Sequence, residues 1–129
     1  MFTEFILYVS DLDKSKNFYS TVFNQSPVLD VPGMVEFELN ENSKLGLMPE
    51  NGIAKIICPP LQHPSLAMGI PKCELYLKTA KCHELFQNSV KAGALIISKP
   101  LPRDWGDEVS YVADPDGHII AFAKSMSKV

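Results

Sequence analysis

The fold is decided by a stretch that occurs in two versions, Glu4-Phe5-Ile6-Leu7-Tyr8-Val9 and, seventy positions later, Glu74-Leu75-Tyr76-Leu77-Lys78-Thr79. Each version begins with a glutamate, alternates as a half-buried strand does, and precedes an amphipathic run typical of a helix. The first run ends at Asn24 and the second at Gly93, and both residue types favour the left-handed conformation that follows a helix. An internal repeat of this kind predicts that one supersecondary unit occurs twice.

Three further strands are predicted in each half. They lie at residues 28–31, 34–39 and 44–48 in the first half, and at 94–98, 109–113 and 118–123 in the second. The last two flank Asp114-Pro115-Asp116-Gly117, which puts proline and glycine at the second and fourth positions of a tight turn. The predicted fold class is therefore α+β, with two tandem β-α-β-β-β modules.

The second half carries two finer expectations. Its helix is predicted to start at a Thr79 cap and to run to Ala92, with an apolar stripe formed by Cys82, Leu85, Phe86 and Val90. Its short strand at 94–98 is predicted to stop before Pro100 and Pro102, because proline cannot donate to a strand ladder.

The repeat also sets the domain organisation. We expect a single domain over residues 1–129, with module one at 1–48, a connector at 49–72 and module two at 73–125. The connector holds five of the ten prolines and is too apolar for a solvated linker. It is predicted to pack over a groove or against a second chain; a role as a lid is the less favoured alternative.

Bulk composition excludes several classes of function. A formal net charge of −3 over 129 residues leaves no basic stripe for nucleic acid. The sequence contains no run of 18 apolar residues, so no membrane span is predicted. Its first residues lack the pattern of a signal peptide. Three cysteines, an odd number without C-x-x-C spacing, favour a reducing compartment, so a cytoplasmic location is expected.

Two motifs, combined with the duplicated element order, resemble the vicinal oxygen chelate superfamily. They are Val9-Ser10-Asp11-Leu12 followed by Phe18-Tyr19, and Asp114-Pro115-Asp116-Gly117-His118-Ile119-Ile120. That superfamily includes glyoxalase I, extradiol dioxygenases, and fosfomycin- and bleomycin-resistance proteins. The resemblance implies a curved mixed sheet that encloses a groove, with helices on the outside.

The resemblance also implies where a metal would bind. Metal-using members place ligands on the first and last strands of both modules, at positions that match Glu4, Gly46, Glu74 and Ala121 here. Glycine and alanine side chains cannot bind a metal. His63, His83 and His118 match none of the four positions and are predicted to be surface or supporting residues. No metal and no cofactor is therefore predicted, and the nearest relatives are expected to be the metal-free members.

Strand alternation predicts which side chains line the groove. The candidate ligand-binding residues are Glu4, Tyr8, Glu36, Glu38, Met48, Glu74, Tyr76, Trp105 and Tyr111. Glutamates beside aromatic rings favour a cationic or aromatic ligand. Glu36 and Glu38 are as well explained by a sheet face in contact with water. A close approach of Glu4 to Glu74 would raise one pKa and leave proton-transfer chemistry open.

Three functional hypotheses follow, and no catalytic residue is assigned. The first is a metal-free protein that binds a small molecule in an acidic groove. The alternative is a glyoxalase-type or dioxygenase-type metalloenzyme, a lyase or oxidoreductase, whose metal site is atypical or completed by a partner chain. The third is a regulatory or assembly module with a vestigial groove. The expected partners are a small-molecule ligand and a second copy of the chain in a homodimer, with no nucleic acid and no membrane.

Overall fold

The first module of the chain contains four strands and one helix. A computed structural model describes residues 1–126. Its first elements, in chain order, are β1 (Thr3–Val9), α1 (Leu12–Phe23), β2 (Leu29–Val31), β3 (Met34–Asn40) and β4 (Ser43–Pro49). They form a four-stranded sheet in the order β1-β4-β3-β2, in which β1 runs parallel to β4 and the other pairs are antiparallel.

The second module repeats this order. Its elements are β5 (Glu74–Lys78), α3 (Cys82–Lys91), β6 (Leu95–Pro102), β7 (Asp107–Ala113) and β8 (Ile119–Ser125). They form a second sheet in the order β5-β8-β7-β6, again with one parallel pair. The predicted α+β architecture of two tandem β-α-β-β-β modules is confirmed.

Strand register shows that the two modules correspond residue by residue. Phe5 pairs with Leu45 in the first sheet, and Leu75 pairs with Ile120 in the second. The sequence alignment of the halves relates Phe5 to Leu75 and Leu45 to Ile120, so the two pairs are equivalent. The repeat is thus present in the hydrogen-bond ladders as well as in the order of the elements.

The ends of α1 follow the predicted chemistry. Asp11 is the N-cap, and its side chain accepts a hydrogen bond from the backbone N–H of Lys14. Asn24 ends the helix with φ of 50°, in the left-handed region.

Two predictions for the helix of module two are wrong. Helix α3 begins at Cys82 after an N-cap at Lys81, not at Thr79, whose hydroxyl instead accepts from the Lys81 N–H. Val90 is exposed, and the buried face is completed by Ser89, whose hydroxyl donates to the carbonyl of Phe86. A serine that bonds back to its own helix can be buried without an unsatisfied group.

Strand β6 continues beyond its predicted end. Pro100 and Pro102 lie within it rather than stopping it. The strand is at the edge of its sheet, and its pairing with β7 is irregular between Ile96 and Leu101. Edge strands with irregular pairing tolerate proline, because the missing N–H has no partner strand to serve.

The connector contains regular structure that the sequence did not indicate. Residues Glu50–Ile57 form helix α2, and Pro64–Ala67 form a single 3-10 turn. Helix α2 has eight residues, contains Gly52 and has no side-chain cap, so its local signals are weak. Ile53 and Ala54, on one side of the helix, are buried. Helix α2 thus packs against β1 and β4, whereas packing of the connector over a groove or on a second chain stays a prediction.

One hydrophobic core lies beneath α1 and α3, which contact each other. It includes Val9, Tyr19 and Phe37 from the first module and Ile120 and Phe122 from the second. Because both modules contribute, the two helices and the helix-facing sides of both sheets are buried together. Within residues 1–126, no helix has the length and apolar content needed to cross a bilayer.

Candidate functional site

The inner face is the side of the two sheets that faces away from α1 and α3. Phe5, Leu7 and Val9 point toward the helices, and Glu4, Ile6 and Tyr8 therefore lie on the inner face. The same alternation places eight of the nine predicted ligand-binding residues there, namely Glu4, Tyr8, Glu36, Glu38, Met48, Glu74, Tyr76 and Tyr111. Trp105, the ninth, lies in the loop before β7 and contacts Tyr76.

Glu4 extends over Gly46 on the neighbouring strand. A Cβ atom at residue 46 would lie 2.5 Å from Glu4 Oε2 and 3.1 Å from Ile6 Cγ1. Glycine therefore leaves the space that the Glu4 carboxyl group fills. Glu4 Oε2 is closed off from solvent and has no hydrogen-bond partner among residues 1–126.

Glu36 is the acidic neighbour of Glu4. Burial raises the pKa of Glu4 above 4.5, and the neighbouring carboxyl group of Glu36 raises it further, against the opposing charge of Lys44. Lys44 Nζ lies 3.3 Å from Glu36 Oε1. The carboxyl group expected to act on Glu4 was that of Glu74, which does not contribute to this shift. The acidic pair on this face is formed within module one.

On module two, the inner face presents a hydrogen-bonded aromatic pair. Tyr76 donates from its hydroxyl to Asp107 Oδ2 at 2.6 Å and accepts from Trp105 Nε1 at 2.9 Å. Lys78 Nζ lies 3.0 Å from Asp107 Oδ1. The hydrogen bonds from Tyr76 and Lys78 lower the pKa of Asp107, so this carboxylate is a stable anchor for the Tyr76 hydroxyl.

Tyr111 stacks against an arginine on the same face. The guanidinium carbon of Arg103 lies 5.0 Å from the centre of the Tyr111 ring, and Arg103 Nη2 donates to Ser98 Oγ and to the Val109 carbonyl. This arginine is held in place by three contacts, so the Tyr111 face is already occupied.

A cavity of about 420 Å³ is lined by residues of β1 and β3 from module one and of β5 from module two. We call it the seam cavity. Its walls include Phe5, Phe23 and Leu75, and its polar residues include Glu38 from module one and Tyr76 from module two. Lys44 and Lys78 also line it, each already paired with a carboxylate. The seam cavity brings two of the predicted residues together from different modules.

A second cavity, of about 540 Å³, lies between β1, the turn after β7 and residues 64–71 of the connector. We call it the connector cavity. Of the predicted residues, Tyr8 lines it.

The Asp114–Gly117 turn holds the two modules together beside that cavity. Asp114 Oδ2 accepts a 2.6 Å hydrogen bond from the hydroxyl of the buried Tyr19. The Asp116 side chain accepts from the Ser10 N–H, and His118 Nε2 lies 2.9 Å from the Tyr8 carbonyl, to which it must donate. Burial raises the pKa of Asp114, and the charge of His118 is the main opposing influence. The turn is therefore a structural joint between the modules.

With this geometry established, comparison with known proteins identifies the family. The sequence model of the family described as "Glyoxalase-like domain" matches residues 2–127. The chain belongs to the glyoxalase-like family. The resemblance to the vicinal oxygen chelate superfamily is thereby confirmed. No curated protein gives a significant match.

Solved structures of other glyoxalase-like proteins share the fold. A glyoxalase-related enzyme from Fulvimarina pelagi has a TM-score of 0.80 at 23% identity, over 97% of this chain and 88% of its own. A glyoxalase/bleomycin resistance protein/dioxygenase from Nocardioides has a TM-score of 0.74 at 20% identity, over 100% of this chain and 85% of its own. A family enzyme from Burkholderia phytofirmans PsJN has a TM-score of 0.74 at 14% identity, over 95% and 96% of the two chains. At these identities the likeness shows the fold.

The metal positions implied by the glyoxalase-like fold do not fit a metal in this chain. Gly46 and Ala121 supply no ligand atom, and Glu4 fills the space above Gly46. Across residues 1–126, no group of three or more His, Cys, Asp or Glu side chains is arranged to hold a metal ion. His83 pairs with Glu108 and His63 with Asn51, away from these positions.

Two important residues of this glyoxalase-like chain were missed from its sequence. Asp107 was assigned to a loop, but it is the buried residue that anchors both Tyr76 and Lys78. Asp116 was taken for turn chemistry alone, but it also lines the connector cavity. Asp107 lies two residues before the predicted strand at 109–113 and has the same parity as Val109 and Tyr111, which is the signal that could have found it.

Proposed function

We propose that this protein binds a small cationic or aromatic molecule at the seam cavity without the help of a metal. The observation that carries the proposal is the pair formed by Trp105 and Tyr76. The Trp105 side chain is exposed, at 60% relative accessibility, yet its indole N–H is fixed on the Tyr76 hydroxyl. An exposed aromatic surface in a fixed orientation loses little conformational freedom when a ligand packs on it.

Charge and shape support the same ligand class. Tyr76 joins the aromatic pair to the seam cavity, whose lining combines apolar side chains such as Phe5 and Leu75 with polar ones. Glu38 is exposed at the cavity and has no ion-pair partner within residues 1–126, whereas both lysines there are paired. A cation in the seam cavity would meet the carboxylate of Glu38 and the side chain of Tyr76, to which the exposed indole of Trp105 is bonded.

The single tryptophan provides a direct test. Because Trp105 is the one tryptophan of the chain, its fluorescence reports on this site alone. We expect bleomycin-like and polyamine-bearing aromatic compounds to change that fluorescence in a saturable manner. Tyr76→Phe removes the acceptor that orients the indole and should weaken binding by about three- to tenfold.

A matched control is Tyr111→Phe, because the Tyr111 hydroxyl makes no hydrogen bond within residues 1–126 while its ring remains in place. It should bind as the wild type does. Absence of any saturable signal, with no heat of binding in calorimetry up to about millimolar ligand, would contradict the proposal.

One observation favours a second candidate function. Glu4 Oε2 is closed off from solvent without a hydrogen-bond partner in the described part of the chain, and such an atom is a possible cation ligand. A glyoxalase-type or dioxygenase-type metalloenzyme would then need its remaining ligands from a partner chain. Metal analysis after gentle purification, with assays on hemithioacetals and catechols, tests this. A metal-free and inactive protein that still binds ligands would exclude it.

We also propose that the chain forms a homodimer. Ile56, Leu61 and Leu66 project from the connector with more than half of their surface exposed. Contiguous exposed apolar residues are typical of interfaces. Light scattering during size exclusion should give the mass of a dimer, and Leu61→Glu should shift it toward the monomer. A wild-type protein that elutes only as a monomer would refute this proposal.

A further inference from the structure

The connector cavity has the composition of a second ligand site beside the seam cavity. We propose that it binds an apolar molecule carrying a single protonated amine. The proposal does not depend on the seam cavity, because no residue of the Trp105–Tyr76 pair lines the connector cavity. Its volume of about 540 Å³ lies within the range of small-molecule sites in proteins.

Its walls are suited to an apolar body. Ile6 and Tyr8 contribute from β1, and Met68, Ile70 and Pro71 contribute from the connector. Ile6, Met68 and Ile70 are exposed in the isolated chain, so their apolar surface is in contact with water. Covering them with an apolar ligand would contribute roughly 25 cal/mol for each Å² removed from water.

The charges of the cavity select a cation. Glu50 and Asp116 line it, and no lysine or arginine does. Neither carboxylate has an ion-pair partner among residues 1–126. His118 is the remaining titratable nitrogen at the cavity, and its Nε2 is already bonded to the Tyr8 carbonyl. Two uncompensated carboxylates beside apolar walls attract an amine and repel a carboxylic acid.

Asp116 is the more deeply placed of the two carboxylates. Its Oδ1 accepts the 3.1 Å hydrogen bond from Ser10, whereas its Oδ2 is shielded from solvent and has no partner in the described residues. A shielded carboxylate oxygen without a donor is costly, and a nearby ammonium group would reduce that cost. The unpartnered Asp116 Oδ2 therefore favours a ligand that carries a positive charge.

Backbone contacts also hold the wall of the cavity in a defined position. Met68 and Gly69 both adopt left-handed backbone conformations, with φ of 52° and 75°, which turn the connector back toward the Asp114–Gly117 turn. Gly69 then packs so closely on Gly117 that a Cβ at residue 117 would lie 2.8 Å from the Gly69 carbonyl oxygen. This backbone contact fixes the connector wall against the turn, so the site is formed before a ligand arrives.

Three probes of one shape test the proposal on the full chain: 4-phenylbutylamine, 4-phenylbutanol and 4-phenylbutyrate. Calorimetry should show the amine binding at least about tenfold more tightly than the alcohol, and the butyrate not binding. Amide chemical shifts should move at residues 64–71 and 116–118. Asp116→Asn, which keeps the acceptor for Ser10, and Glu50→Gln should each weaken amine binding about three- to tenfold. Glu41→Gln, an exposed carboxylate in the β3–β4 turn, is the matched control and should change nothing.

Several results would overturn the proposal. Equal binding of all three probes would mean that charge plays no part, and no binding would mean that the cavity is not a site. Loss of amine binding in Trp105→Ala, with shifts at Tyr76, would place the amine at the seam cavity instead. Amine affinity that falls as protein concentration rises would mean that a second copy of the chain fills the connector cavity. If Asp116→Asn fails to fold, Glu50→Gln alone decides the role of charge.

Discussion

The hydroxyl of Tyr19 in the first module donates a 2.6 Å hydrogen bond to Asp114 in the second, 95 residues away along the chain. Tyr19 is fully buried, and burial together with Asp114 raises its pKa well above 10, so it stays a donor throughout the stable range. Asp114 Oδ1 meanwhile accepts from the N–H groups of Asp116 and His118. One carboxylate thus shapes the turn and ties it to the helix of the other module.

Removing the Tyr19 hydroxyl should lower the stability of the fold. Tyr19→Phe leaves Asp114 Oδ2 buried without its donor, and we expect a loss of about 2–3 kcal/mol in the free energy of unfolding. The matched variant is Tyr76→Phe, which breaks a hydrogen bond of the same 2.6 Å length at a side chain that is 37% exposed. Water can replace that bond, so the loss should be about 1 kcal/mol or less. Urea unfolding of both variants checks the order, and equal losses would show that burial is not the deciding factor.

Gly46 and Glu4 should show strong energetic coupling. Gly46→Ala brings a methyl group to within 2.5 Å of Glu4 Oε2, so we expect the single variant to lose about 1 kcal/mol or more. In a Glu4→Ala background the contact at 2.5 Å is gone and the tight approach to Ile6 Cγ1 at 3.1 Å remains, so Gly46→Ala should cost much less there. A double-mutant cycle in urea should therefore give a coupling of about 1 kcal/mol. Additive effects would mean that Glu4 moves aside without cost.

The titration of Glu4 should limit stability at neutral pH. Its pKa is raised above 4.5, so the folded chain takes up a proton at Glu4 more readily than the unfolded chain does. The contribution of Glu4 to the free energy of unfolding is therefore greatest below pH 4.5, where the carboxyl group is protonated in both states. It is lost as the pH rises through the raised pKa of the folded state. Glu4→Gln should increase the free energy of unfolding at about pH 7, and the gain should shrink toward about pH 4. A gain for Glu4→Gln that stays constant over this pH range would contradict the assignment.

Gly106 and Gly117 allow the cost of backbone strain to be measured separately from the cost of a steric clash, because both have a positive φ but their surroundings differ. Gly106 and Gly117 have φ of 93° and 86°, but a Cβ on Gly106 would meet nothing within 4 Å, whereas one on Gly117 would collide with the Gly69 backbone. Gly106→Ala should lose about 1–2 kcal/mol from the left-handed conformation alone. Gly117→Ala should lose at least about 1 kcal/mol more, and it should perturb amide shifts at Gly69. Equal losses of stability for the two variants in thermal or urea unfolding would argue against a close contact between Gly69 and Gly117.

Much of the fold could be predicted because its signals are local. Alternation in Glu4–Val9 and Glu74–Lys78 assigns each side chain to one face, and the offset between the halves gives the equivalence of Leu45 with Ile120. Helix α2 was missed because eight residues with Gly52 inside them carry little propensity and gain stability from packing of Ile53. The extent of β6 was missed because proline is excluded only from strands with neighbours on both sides.

The candidate site was harder to predict, because its decisive contacts cross between strands. Sequence parity placed Glu4 and Tyr76 on the inner face, but it could not show that Glu4 leans over Gly46 toward Glu36. It also could not show that Asp107 anchors Tyr76, since these residues lie on β7 and β5, with β8 between them. Alternation fixes the side on which a residue lies, whereas its partners depend on rotamers and on sheet curvature.

The prolines of β6 have a consequence for the behaviour of the protein in a crowded solution. Leu95 and Ile97 on this edge strand are more than half exposed, a combination that invites other chains to add strands and start aggregates. Pro100 and Pro102 have no N–H to offer such a chain, and the irregular pairing of β6 breaks the even spacing that it would need. The first sheet ends in β2, which is only three residues long. The outer edges of both sheets, β2 and β6, are thus poor templates for polymerisation.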